Sequence, residues 1–158
     1  MNPVGAFTFV LHSHLPYARM AGRWPHGEEW IHEAASETYI PLLNALYDLK
    51  AEGVQFKLTV GLTPVLVEQL ADADVLTNFV LYLEEKIEAA KKDIKRFQGS
   101  GDDEEVVEEP PAESGEEPTT TNDSLPPSET DLHMAYLAEW YLNWFEMIKN
   151  SFESRYNR

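Results

Sequence analysis

The stretch FTFVLHSHLPYARMAGRWP, residues 7–25, indicates how the fold begins. The apolar run from Ala6 to Leu11 predicts a short strand buried on both faces, because it is rich in β-branched and aromatic residues without polar alternation. Side chains two residues apart lie on one face of a strand, so His12 and His14 are expected to share a face at its end. Such a pair indicates a metal site, a sugar site or a core that contains histidine.

A second apolar run, FKLTVG at residues 56–61, predicts a second strand parallel to the first. Helical spacing between Glu28 and Glu52 fits the crossover of this βαβ unit. Pro41 must kink or divide the crossover helix, because proline removes a backbone donor. Gly53 suits the end of that helix, and Pro64 suits the first turn of the next one.

Two longer segments carry apolar residues every three or four positions, at Val75 to Phe97 and at Leu132 to Tyr156. They predict two amphipathic helices that form an antiparallel hairpin. The second helix is rich in aromatic residues. We expect these rings to pack as core, with a ligand surface as the alternative.

The charge is concentrated between Asp102 and Asp131. Of 28 acidic residues, twelve lie there with five of the ten prolines and no Lys or Arg. The remaining 16 acids and 12 bases give the rest of the chain a net charge of -4. This composition predicts a solvated, disordered insertion over 102–131, between segments 1–101 and 132–158, with an acidic interaction tail as the alternative.

Composition also limits the function. The net charge of -16 argues against nucleic acid or an anionic membrane as a partner. The absence of cysteine excludes thiolate ligands and favours a cytoplasmic protein. No apolar run approaches the ~18 residues of a membrane span, and no signal peptide is evident.

Two parallel strands cannot finish a sheet, since both edges would stay open. The chain stops at SFESRYNR, where a third strand is expected. The pattern therefore predicts the first part of a larger α/β barrel or doubly wound sheet. In a parallel barrel, residues at the carboxyl end of a strand face the catalytic mouth, which would include the histidine pair.

Aromatic and basic residues follow the histidines. Tyr17, Trp24 and Trp30 stand near Arg19 and Arg23, and flat rings beside polar donors suit the faces and hydroxyls of a sugar. Alternatively, the rings fold back over the mouth of the barrel. A histidine pair there can also begin a metal site, provided that later strands supply further ligands.

The segments FVLHSHLPYARMAGRWPHGEEWIHEAASETYIPLL and LTVGLTPVLVEQLAD resemble the start of glycoside hydrolase family 57, and most closely its 1,4-α-glucan branching enzymes. HSHLPY and GLTPVL correspond to the family's first two conserved regions. The resemblance covers Phe7 to Gln98 and resumes at HMAYLAEWYLNWFEMIKNSFESRYNR. It implies part of a seven-stranded (β/α) barrel with a helical region, and retaining transfer of α-1,4-glucan segments.

The resemblance also implies residue roles. His12 and His14 would bind the sugar beside the scissile bond, without a metal or other cofactor. Trp24 would contact the glucan chain, and Tyr17 is a further candidate from the same loop. The near-site loop after the second strand would be shaped by Gly61, Thr63 and Pro64.

The family's nucleophilic glutamate and acid/base aspartate lie in later motifs without a counterpart in this sequence, and nothing marks Glu68 as a replacement. We therefore expect the chain to lack activity alone and to need the remainder of the barrel as a partner. Two other interpretations stay open. One is a non-catalytic glucan-binding module, and the other is part of a metal-dependent barrel such as a polysaccharide deacetylase or amidohydrolase.

Overall fold

The structure is a computed structural model that describes residues 4–5, 7–23, 27–99 and 126–156. The chain forms two compact units, residues 1–86 with 144–158, and residues 87–143. The elements in chain order are β1 (Val10–Ser13), α1 (Glu29–Ala34), a π-helical turn (Ala35–Tyr39), α2 (Ile40–Ala51), β2 (Thr59–Leu62), α3 (Pro64–Leu70), α4 (Ala73–Phe97), α5 (Glu129–Ser151) and a second π-helical turn (Phe152–Tyr156).

The two strands pair in parallel, with Val10 opposite Thr59 and His12 opposite Gly61. The predicted βαβ pairing is therefore confirmed, although both strands begin later than the apolar runs. The prediction that the first strand is buried on both faces is wrong, because Val10 is 73% exposed. Within the described residues the sheet has two strands, and the buried apolar side chains come from the helices and the loop after β1.

The crossover helix is interrupted before Pro41, as predicted. The π-helical turn ends at Tyr39, and Pro41 is the second residue of α2. Proline has no N–H to donate to the preceding turn, and a wider π turn is one way for a helix to accommodate that loss. Gly53 follows α2 with a φ of 79°, a conformation that glycine adopts without strain.

The core of the first unit lies between helices. Leu66, Leu83 and Ile148 are fully buried. The rings of Phe79 and Phe152 are 5.0 Å apart, and those of Tyr82 and Phe145 are 6.5 Å apart, both pairs edge to face. Phe79, the earlier residue of α4, contacts Phe152, whereas Tyr82 contacts Phe145, which precedes Phe152 in the chain. The two chain segments therefore run antiparallel in this unit.

Helix α5 begins at Glu129, three residues before the predicted start at Leu132. Ser128 and Asp131 form a reciprocal cap. The Ser128 hydroxyl and backbone N–H donate to Asp131 Oδ2 over 2.6 and 3.0 Å, and the Asp131 N–H donates to the Ser128 hydroxyl over 3.2 Å. These bonds lower the pKa of Asp131. The last acid of the predicted insertion thus caps a helix, while residues 100–125 lie outside the described residues.

In the second unit, Ala90 and Ala135 are buried. The aromatic residues of this part of α5 are less covered than predicted, since Trp140 and Tyr141 are 48% and 50% exposed. Within the described ranges, no helix combines the length and the apolar character needed to cross a membrane.

His32 is a buried polar residue of the first unit. Its ring lies 5.8 Å from that of Phe79 and 5.4 Å from that of Tyr82. Burial lowers the pKa of His32 and outweighs the opposing effects of Glu28 and of a hydrogen bond to the backbone of Val75. Burial also raises the pKa of Tyr82 to about 12.

We expect His32 to make the protein less stable in mild acid. The unfolded chain binds a proton near the ordinary value of 6.5, whereas the folded chain resists protonation to lower pH. The contribution is therefore fully present above pH 6.5 and is lost as the pH falls from there through the lowered pKa. Urea unfolding between pH 5 and pH 8 measures it. The free energy of unfolding should depend less on pH in His32→Gln than in the unaltered chain. The same pH dependence in both proteins would contradict the prediction.

Candidate functional site

The structure brings the two predicted histidines together at the end of β1. His12 lies in the strand and His14 directly after it, with ring centroids 5.5 Å apart and ring planes inclined by 33°. Both residues are exposed. Their exposure excludes the interpretation of a histidine-containing core and leaves two imidazoles available to a ligand.

Gly61 makes room for the first imidazole. It stands opposite His12 in the sheet, and a Cβ atom at this position would lie 3.3 Å from His12 Nδ1. That approach is closer than ordinary van der Waals contact, so the absence of a side chain lets the ring lie over β2. The sequence predicted Gly61 at the end of the second strand, beside the near-site loop, and the structure has it within β2.

Three segments meet where β1 ends. The hydroxyls of Ser13 and Tyr39 are 2.5 Å apart, which links the strand to the first π-helical turn. The N–H of Thr63 donates to the carbonyl of Ser13 over 3.3 Å, and Pro64 then begins α3. The predicted near-site residues Thr63 and Pro64 therefore follow β2 directly and adjoin the histidine strand.

The loop after His14 is anchored by packing. Ala18 is buried with Ile31 and Val75, and Leu15 and Leu70 pack partly buried against this cluster. One helix of the crossover, α1, and the start of α4 thus both help to hold the loop. The anchoring is apolar at this point and does not involve either histidine.

A buried amide adds polar anchoring that sequence reasoning did not find. Gln69 of α3 is 1% exposed. Its Oε1 accepts the backbone N–H groups of Ala18 and Arg19 over 2.6 and 3.1 Å, and its Nε2 donates to the carbonyl of Pro16 over 3.1 Å. The helical spacing of Leu66 and Gln69 puts both on the buried face of α3, but the sequence alone does not tell a buried amide from an exposed one.

Both arginines that sequence reasoning placed near a sugar are paired with carboxylates. Arg19 forms ion pairs with Asp72 and, over 3.3 Å, with Asp74. Arg23 binds Glu85 through two hydrogen bonds of 3.0 and 2.8 Å. This pairing, with the hydrogen bond as the main cause, lowers the pKa of Glu85. These guanidinium groups therefore tie the loop to α4 and its beginning.

Two of the three aromatic candidates for sugar binding lie within the described residues. Tyr17, in the anchored loop, is 61% exposed, and Trp30, in α1, is 39% exposed. Trp24 lies outside the described residues. Among the residues that the structure does describe, no three or more His, Asp or Glu side chains form a group that could hold a metal ion.

The model of glycosyl hydrolase family 57 matches residues 8–154 of this chain, including the histidine pair and Gln69. The chain belongs to glycosyl hydrolase family 57. A 1,4-α-glucan branching enzyme of Thermococcus kodakarensis is 50% identical over 91 residues, which is 58% of this chain and 14% of that protein. A probable 1,4-α-glucan branching enzyme of Mycobacterium tuberculosis is 47% identical over 72 residues, 45% of this chain and 14% of that protein.

Solved structures are similar as well. The branching enzyme of Pyrococcus horikoshii matches with a TM-score of 0.70 and 34% identity, over 93% of this chain and 22% of the enzyme. The α-amylase AmyC of Thermotoga maritima matches with a TM-score of 0.62 and 28% identity, over 92% of this chain and 22% of the amylase. The chain is thus a helix-rich partial domain that spans 14% of these curated relatives and 22% of these solved structures.

Replacing Gly61 with alanine should displace the His12 ring, because the added methyl group would meet Nδ1 at 3.3 Å. We expect the side-chain NMR signals of His12 to move, with an effect on stability of about 1 kcal/mol or less, because the ring is exposed and can swing away. Gly5→Ala is the matched control, since an added Cβ there has no neighbour within 4 Å. Unchanged His12 signals in Gly61→Ala would refute the contact.

Proposed function

We propose that this chain supplies the α-1,4-glucan-binding histidine pair of a family 57 branching enzyme, with His12 and His14 as the sugar-binding residues. The observation that carries the proposal is the exposed pair of imidazoles, 5.5 Å apart, at the end of β1 and inside the family match. A neutral glucan also suits a protein with a formal charge of -16, whereas nucleic acid and anionic membranes do not.

The chemistry of the pair supports this role. Each imidazole offers ring nitrogens that donate or accept hydrogen bonds, and two rings at this separation can address hydroxyls of one sugar residue. Tyr17 would add an exposed aromatic face for a pyranose ring, with Trp24 as a second one. Gly61, Thr63 and Pro64 would set the shape of the strand ends and loop around the pair.

The open sheet supports a larger catalytic domain. Val10, Val60 and Leu62 expose 73%, 44% and 49% of their surfaces on a parallel pair of strands, and such sheets are normally covered on both faces. We infer that further strands complete a seven-stranded (β/α) barrel and that this remainder is the partner of the chain. The nucleophilic glutamate and acid/base aspartate of retaining transfer would come from that remainder.

The rest of the organisation follows the same proposal. The acidic residues that begin at Asp102 would take no part in the glucan site, since the proposed binding residues belong to β1 and the loop after it. The absence of cysteine fits a cytoplasmic enzyme of glycogen or starch metabolism.

Maltoheptaose binding tests the histidine assignment. In an NMR titration of the 158-residue chain, the side-chain signals of His12 and His14 should shift on addition of sugar. His14→Ala should raise the Kd about tenfold, since a lost hydrogen bond to a ligand costs ~1–3 kcal/mol. His133→Ala is the matched control, because His133 is an exposed histidine of α5 in the other unit.

Two results would contradict the assignment. Binding that is unaffected by both His12→Ala and His14→Ala would remove the pair from the site. Binding that is lost on addition of EDTA and restored by zinc would instead favour the metal-dependent barrel.

Amylose turnover tests the assignment of the carboxylates to another part of the enzyme. We expect the chain alone to neither branch nor hydrolyse amylose, because no residue in it corresponds to the catalytic pair that retaining transfer uses. Iodine staining and a reducing-end assay measure both activities. Reproducible turnover that is abolished in Glu68→Gln would contradict this expectation and would identify Glu68 as a catalytic carboxylate.

A further inference from the structure

We propose that Gln69 is a positioning residue for the sugar site, fixing the loop that carries His14 and Tyr17 through its buried amide. This inference rests on the proposed function and adds a residue to which sequence reasoning gave no role. Gln69 touches neither histidine in the contacts described above. It acts through the backbone of Pro16, Ala18 and Arg19.

The amide is matched to what the loop presents. Residues 16–19 direct one carbonyl and two N–H groups at the buried face of α3, and Gln69 answers all three over 2.6–3.1 Å. A carboxylate could accept the two N–H groups but could not donate to the carbonyl, and an aliphatic side chain could do neither. Because Gln69 is 1% exposed, water could not easily replace the lost bonds.

The fixed point is transmitted to His14 along a short, stiff segment. Pro16 has a restricted φ, and the residue before a proline is confined to extended conformations, so Leu15 has little freedom. Leu15 also packs against the cluster of Ala18, Ile31 and Val75. Holding the carbonyl of Pro16 therefore restrains the backbone that leads to His14, whose ring is exposed.

The location of Gln69 follows from the parallel pairing of the two strands. β1 ends in the histidines, and β2, parallel to it, leads through Pro64 into α3. Gln69, the sixth residue of that helix, reaches back to the loop that follows β1. The helix that begins in the second conserved region and continues past it to Gln69 is thus bonded to the loop that follows the first one.

Two substitutions test the proposal in the whole chain. Gln69→Leu removes all three hydrogen bonds, and Gln69→Glu keeps two acceptor contacts but opposes a carboxylate to the Pro16 carbonyl. Asn44→Ala is the matched control. Asn44 is also a multiply bonded amide, but the partners of these bonds, Ser151, Arg155 and Tyr156, belong to the end of the chain and not to the histidine loop.

The expected result has three parts. Gln69→Leu should speed hydrogen exchange at the Ala18 and Arg19 amides about tenfold or more, broaden or shift the His14 ring signals, and raise the maltoheptaose Kd about tenfold. Gln69→Glu should give smaller changes in the same direction. Asn44→Ala should lower the global stability and leave the His14 signals unchanged. Hydrogen exchange at the Ala18 and Arg19 amides should then rise no more than it does in the rest of the protein.

The outcomes separate the two proposals. If the unaltered chain binds no maltoheptaose, the proposed function fails, but exchange at Ala18 and Arg19 and the His14 signals still decide the role of Gln69. If Gln69→Leu does not fold, the same measurements on Gln69→Glu decide it. A folded variant with unaltered His14 signals and loop protection, or an equal effect in Asn44→Ala, would overturn the positioning role.

Discussion

The parallel pairing of β1 with β2 is the constraint on which the described site depends. Its register puts Gly61 opposite His12 and so gives the imidazole a place over the sheet. It also delivers the chain from β2 into α3 at the position from which Gln69 can reach the loop after β1. A slip of one residue would turn the other set of side chains toward each face and separate these partners.

Around this pairing, stability and recognition are placed in different parts of the first unit. The helices bury one another, with Leu66, Leu83 and Ile148 fully enclosed. The sheet keeps its apolar side chains and its histidines at the surface. This division lets the helical layer hold the histidine strand in place while the strand itself stays exposed, as the proposed sugar site and the proposed further strands require.

Residues with strong backbone preferences made part of the fold predictable. Pro41 predicted the interruption of the crossover helix and Pro64 predicted the start of α3, because proline has a fixed φ and no N–H to donate. Gly53 predicted the end of the crossover helix, because glycine adopts a positive φ without strain. Both strands were predicted, but their predicted starts lie too early in the chain. An apolar run does not by itself show which of its residues pair with another strand. Burial of the first strand was wrongly predicted, because the burial of a strand depends on which other elements pack against the sheet. A local sequence pattern does not show this.

The candidate site shows the same limit. The spacing of His12 and His14 sufficed to predict a shared position at the end of a strand. Gln69 was not predictable, because its role depends on contacts with residues about fifty positions earlier in the chain. The start of α5 was missed for a different, local reason, since Asp131 was counted with the acidic run although Ser128, three residues earlier, completes a capping pattern with it.

The register of the two strands is the most direct test of this account. Interstrand nuclear Overhauser effects between backbone protons of residues 10–13 and 59–62 report it without reference to any ligand. The account predicts parallel contacts that align His12 with Gly61 and Val10 with Thr59. Contacts that align His12 with Val60 or Leu62, or an antiparallel pattern, would contradict it.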